Sequence, residues 1–142
     1  GSKEIVLSDT TGYGDPLKVK KLIRRLKSTV GEDKITGIHL HNTRGLGLAN
    51  AFAAIEEGIT TIDSSISGIG GCPFSPGASG NIVTEDLVFM LDAMGIDTGI
   101  DLEKLFSVRN ILSEALPEEP LYGYTANAGL PIGYQPQNKV IN

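Results

Sequence analysis

The chain has 142 residues, 40% of them hydrophobic, which suits one globular domain with a buried core and excludes a disordered segment. A formal net charge of −5 argues against nucleic acid as a partner, because neutralising phosphates needs surplus Lys and Arg. The single cysteine rules out an internal disulfide, and no apolar run approaches the roughly 18 residues of a membrane span. A cytoplasmic location is expected, or the mitochondrial matrix if the source is eukaryotic. The opening Gly1-Ser2 reads as an expression-tag remnant.

Glu4 to Ser8 reads as a short buried strand, closed by Asp9-Thr10-Thr11-Gly12-Tyr13-Gly14-Asp15-Pro16. Val19, Leu22, Ile23, Leu26 and Val30 then follow the spacing of an amphipathic helix. Its other face, with Lys18, Lys20, Lys21, Arg24, Arg25 and Lys27, reads as a solvated outer surface. A second strand is expected from Ile35 to His41. A second helix follows from Leu48 to Glu57, stopped by Gly58 as its C′ residue. The third strand, Thr60 to Ser65, leads into Gly68-Ile69-Gly70-Gly71-Cys72-Pro73, and a very short fourth is expected within Ser79 to Ile82. One helix should start at Thr84 as N-cap and run to about Met94, and another should span Asp101 to Leu116. From Leu121 to Asn142 the chain is rich in Gly, Pro and Asn and lacks periodicity; it reads as an arm packed on the domain or on a partner chain.

Strands alternating with helices at this spacing denote right-handed βαβ units and a parallel sheet. A complete (β/α)8 barrel needs about 250 residues. The expected organisation is therefore an α/β half-barrel over residues 1–116, with a C-terminal extension over 117–142.

The only histidines, His39 and His41, stand at the end of a predicted strand. Positions i and i+2 of a strand share a face, so the pair can hold one metal ion or form part of a core. Their place at the carboxyl end of a parallel strand favours the first reading, because catalytic groups of parallel barrels collect there. All three strands end in polar clusters: Asp9-Thr10-Thr11, His39 to Asn42, and Asp63-Ser64-Ser65. Cys72 lies among glycines 68, 70, 71, 77 and 80, in a loop whose bare backbone can approach a ligand closely. The glycines do not form a GxxxxGK[ST] phosphate loop, so nucleotide binding is not supported.

Several runs in this order and spacing resemble the hydroxymethylglutaryl-CoA lyase family: Asp9-Thr10-Thr11-Gly12, His39-Leu40-His41-Asn42-Thr43, Leu48-Ala49-Asn50, Asp63-Ser64-Ser65, Gly68-Ile69-Gly70-Gly71-Cys72-Pro73, Gly77-Ala78-Ser79-Gly80-Asn81 and Thr84-Glu85-Asp86-Leu87-Val88. Isopropylmalate and homocitrate synthases share the His-x-His strand but lack Gly-Gly-Cys-Pro. The resemblance implies the C-terminal half of a (β/α)8 barrel that binds Mg2+ or Mn2+ and cleaves 3-hydroxy-3-methylglutaryl-CoA to acetyl-CoA and acetoacetate. His39, His41 and Asn81 match the family's metal ligands. Cys72 matches its catalytic loop cysteine, Asp9 an acidic active-site residue, and His39 is also assigned to the catalytic group.

Two departures qualify the match. Asn42 replaces the Asp of animal lyases, as in bacterial relatives, which leaves a citramalyl-CoA-type substrate open. Nothing here matches the family's first barrel strand, with its arginine and metal-binding aspartate. The acyl-CoA site would then need a missing N-terminal half-barrel or a second copy of this chain. A Claisen-type acyltransferase and a non-catalytic, self-associating half-barrel are the alternatives.

Overall fold

The computed structural model describes residues 1–72 and 77–136. Pro73 of the Gly-Gly-Cys-Pro run and the arm beyond residue 136 lie outside the described residues. The chain forms two compact units, Gly1–Ser64 with Gly70–Ile82, and Ser65–Ile69 with the chain from Val83 onward.

The first unit holds β1 (Ile5–Asp9), α1 (Pro16–Val30), β2 (Ile35–Leu40), α2 (Gly47–Glu56) and β3 (Thr61–Asp63). The strands are parallel in the order β1-β2-β3, as successive βαβ units require. Ser8 pairs with His39 and His39 with Asp63, so these three residues form one row near the carboxyl ends. Ile35, Ile38 and Leu40 of β2 are buried, as are Ala51, Ala53 and Ala54 of α2, whose short side chains let the helix lie close to the strand.

β1 departs from the expected buried strand. Its residues alternate between half-buried and exposed, and Val6 is 50% exposed. The reason is its position: among the described residues β1 is an edge strand paired only with β2. The apolar stripe of α1 is likewise half used. Val19 and Ile23 are buried, whereas Leu22 and Val30 are exposed. Part of the basic face is not simply solvated, because it clamps the end of α2. Lys20 pairs with Glu56 at 2.7 Å, Arg24 grips the Glu57 carboxylate through Nε and Nη2 at 2.7 and 2.5 Å, and Lys27 donates to the Glu57 carbonyl.

The expected fourth strand is reduced to an isolated bridge between His41 and Asn81. Only two backbone bonds flank it, from the Asn42 amide to the Gly80 carbonyl and from the Ile82 amide to the Leu40 carbonyl. That is enough to seat Asn81 beside His41 and too little for a ladder.

The second unit holds a 3-10 turn (Ile66–Gly68), α3 (Thr84–Ala93), α4 (Leu102–Ala115) and α5 (Tyr124–Ala128). Thr84 is the first residue of α3 and not its N-cap; Val83 takes the cap position. The parallel bridge of Ser65 with Val83 explains the shift, since the Thr84 amide donates to the Ser65 carbonyl. Asp101, expected as the first residue of the next helix, is instead the N-cap of α4, accepting from the Glu103 and Lys104 amides. At the base of α3, the fully buried Glu85 carboxylate accepts from the Ser67 amide (3.2 and 3.0 Å) and lies 3.3 Å from the Ser67 hydroxyl. Ser67 has φ +56°, the left-handed region.

The described chain from residue 117 to residue 136 packs on the helices of its own unit. Asp86 accepts the amides of Tyr124 and Thr125, and Tyr134 donates to the carboxylate of Asp92. The Arg109 guanidinium reaches the carbonyls of Leu121 and Tyr122 and the amide oxygen of Asn127. Among the described residues, no helix is long and apolar enough to cross a membrane.

Candidate active site

The polar side chains of the first unit meet at the carboxyl ends of β1 and β2. His39 and His41 project to one face of β2, their ring centroids 5.2 Å apart and their planes inclined by 59°. His39 Nδ1 lies 3.4 Å from Asp63 Oδ2 on the neighbouring strand, the kind of carboxylate neighbour that orients a metal-binding imidazole. His41 is 6% exposed, and its Nδ1 is buried with no hydrogen-bond partner among the described residues. Burial, and then the charge of His39, lower the pKa of His41 below the ordinary histidine value, with Asp9 opposing them. The imidazole is thus favoured in the neutral form that binds metals.

Asn81 stands across the bridge from His41. Its Nδ2 donates to the Gly70 carbonyl at 3.4 Å, which links the glycine-rich loop to the same group. Gly70 has φ +102°, and a Cβ there would come within 2.8 Å of Asn81 Nδ2. Glycine is required where the loop passes the amide. Cys72, two residues on, is a free thiol of intermediate exposure.

Two imidazoles and an amide oxygen form a donor set suited to a divalent cation. The orphaned Nδ1 of His41 fits such a role, because a buried polar atom without a partner is costly unless a ligand satisfies it. Among the described residues no three His, Cys, Asp or Glu side chains cluster, so the third donor would be the Asn81 amide.

Asp9 is placed differently. By register it pairs with Leu40, on the sheet face opposite the histidines. Its two carboxylate oxygens accept the amides of Tyr13 (3.1 Å) and Gly14 (2.9 Å), so it organises the loop that follows β1. Two residues given no role by the sequence reading stabilise this end of the sheet. Asn50, 1% exposed, donates to the Gly14 carbonyl. Asn42 accepts the Gly47 amide with Oδ1 and the Gly45 amide with its carbonyl, which folds the chain after His41 into a turn capped on α2. An aspartate would accept the Gly47 amide as well, which explains how either residue fits position 42.

Parallel strand–helix units with their polar groups at the carboxyl ends define a (β/α)-barrel enzyme class. The HMGL-like family model matches residues 1–112, and the chain belongs to the HMGL-like family. It is 46% identical over 129 residues to an (R)-citramalyl-CoA lyase from Chloroflexus aurantiacus, covering 91% of this chain and 40% of that protein. It is 43% identical over 116 residues to the mitochondrial hydroxymethylglutaryl-CoA lyase of Homo sapiens, covering 82% of this chain and 35% of that one. Among solved structures it resembles an HMG-CoA lyase from Acinetobacter baumannii, in complex with coenzyme A and 3-methylmalate. That match has a TM-score of 0.82 and 44% identity, over 94% of this chain and 43% of the other. The chain thus spans well under half the length of these relatives, and its elements are those of a C-terminal half of a (β/α)8 barrel.

Proposed function

We propose that this chain carries the metal-holding half of the active site of a carbon–carbon lyase acting on 3-hydroxyacyl-CoA thioesters. The preferred substrate is 3-hydroxy-3-methylglutaryl-CoA, cleaved to acetyl-CoA and acetoacetate. The observation that supports this most is the convergence of His39, His41 and Asn81, with Cys72 on the adjoining loop. His39, His41 and Asn81 are the proposed ligands of Mg2+ or Mn2+; the bound ion would supply Lewis acidity toward the substrate's hydroxyl and carbonyl oxygens.

In the reaction the hydroxyl proton is lost and the bond between C2 and C3 breaks. The new ketone leaves, and the enolate of acetyl-CoA takes up a proton at C2. Cys72, on a glycine-rich segment able to close over the site, is the proposed donor of that proton. His39 belongs to the catalytic group through the geometry Asp63 gives it. Asp9 contributes by fixing the loop from residue 9 to 14 beside the site. Citramalyl-CoA is the second reading, favoured by the 46% identity to a citramalyl-CoA lyase. That substrate differs by one methylene between the carbinol carbon and the free carboxylate.

Mn2+ titration of the chain and of its His41→Ala variant tests the ligand set. Binding should fall by roughly a hundredfold in the variant, and equal binding by both would overturn the assignment. Both thioesters are then assayed with the chain mixed with a polypeptide corresponding to the first half of its relatives. Acetyl-CoA release that depends on Cys72 supports the lyase reading.

A further inference from the structure

Arg44 lies on the turn after His41. The turn is fixed at three points: the Asn42 amide to the Gly80 carbonyl, the Gly45 amide to the Asn42 carbonyl, and the Gly47 amide to Asn42 Oδ1. From it the Arg44 guanidinium reaches over the loop that follows β1. Its Cζ stands 3.9 Å above the centre of the Tyr13 ring, and Nη1 donates to the Thr11 carbonyl at 3.0 Å. These contacts hold the group without using its Nε–Nη2 edge.

That edge is the one that recognises carboxylates in two parallel bonds. The same chain shows it occupied elsewhere, where Nε and Nη2 of Arg24 clamp Glu57. Lys18, Lys20 and Lys104 also have acidic partners. Among the described residues Arg44 has no acidic partner, as is also true of Arg25 and Arg109, but Arg44 alone of these is stacked over a ring, and residues 73–76 and 137–142 contain no Asp or Glu. A guanidinium held over an aromatic ring, with its carboxylate-binding edge unfilled, stands three residues along the chain from His41.

We propose that Arg44, stacked on Tyr13, is the receptor for the free carboxylate of the acyl chain. The inference rests on the lyase reading above and names the part of its substrate that this half of the site recognises. Both proposed thioesters carry that carboxylate one or two bonds from the carbinol carbon. Its receptor must therefore stand beside the residues that hold the reacting oxygens. The phosphates of coenzyme A present similar acceptors, but at the far end of the pantetheine arm.

The test reads binding and not turnover. The chain, with and without Mn2+, is titrated with acetoacetate, with pyruvate, with acetone as the uncharged control and with coenzyme A as the phosphate control. Arg44→Gln should weaken binding of the oxo acids roughly tenfold or more, leaving acetone and coenzyme A unchanged. Arg44→Lys should recover only part, because an ammonium lacks the paired edge. Oxo-acid binding equal in wild type and Arg44→Gln, or absent from both, would overturn the proposal. So would a loss confined to coenzyme A, which would make the anion a phosphate. Mn2+ binding followed in the same samples separates the two ideas. A chain that binds no Mn2+ but still discriminates through Arg44 refutes the metal site alone.

Discussion

Ser67 and Glu85 show how much of this chain's chemistry is spent on backbone shape. A non-glycine residue in the left-handed region costs roughly 1–2 kcal/mol. Hydrogen bonds to a charged acceptor each contribute about 1.5–3 kcal/mol, enough to offset that cost. Glu85→Ala removes the acceptor from a buried amide and should destabilise the fold by about 2–4 kcal/mol in chemical denaturation. Ser67→Gly relieves the strain and should change stability by less than about 1 kcal/mol. A small loss in Glu85→Ala would show that the carboxylate does not hold this turn. Sequence alone could not supply the pair, since nothing in its spacing joins residue 67 to residue 85. The two histidines were legible because a period of two is a local property of a strand. The loop-closing role of Asp9 was not, because it depends on amides four and five residues away that point back at it only once the turn exists.

At the scale of elements, the periodic segments were read correctly in kind and missed mainly at their ends. α1, α2 and α4 carry capping residues or a C′ glycine in sequence, at Asp15, Gly58 and Asp101. α5 was invisible because it has no apolar stripe. Its first turn is held by a carboxylate on α3, so the forces that form it lie outside its own sequence. We propose that residues 117–142 act as one arm. Tyr134 reports its docking: burial first, and then the bond to Asp92, push its phenol up to about 12. The raised value means that the neutral phenol stabilises the fold at and below pH 10. This contribution is lost as pH rises through about 12. In an ultraviolet titration one tyrosine should ionise near pH 12, and Asp92→Asn should bring its midpoint down. A spectrum unchanged by that substitution would detach Tyr134 from Asp92.

Over the whole molecule, the sheet of the described residues has three strands and stays open at β1. Along β1 lies a groove of about 350 Å3, lined by Leu7, Val19, Leu22, Ile38 and Leu40 together with the loop residues Tyr13 and Gly14. Leu17 and Leu22 are 80% and 49% exposed beside it. An unpaired strand with apolar neighbours favours association. Light scattering of the isolated chain should therefore give a mass above 15.0 kDa that falls on dilution. A constant monomer mass would refute this. Half of the fold was legible from length alone, because strand–helix alternation counts its own units. What pairs with the open edge was not, since among the described residues β1 pairs only with β2.

All three proposed metal ligands lie between His39 and Asn81, inside one compact unit, Gly1–Ser64 with Gly70–Ile82. Their mutual placement depends on β2 and the bridge to Asn81, and not on whatever closes the barrel at β1. The ion's nest can therefore form first and the chamber around it afterwards. We propose that assembly then has an intrinsic order, in which the ligand set forms within this chain and a substrate cavity only once a complementary half has joined it.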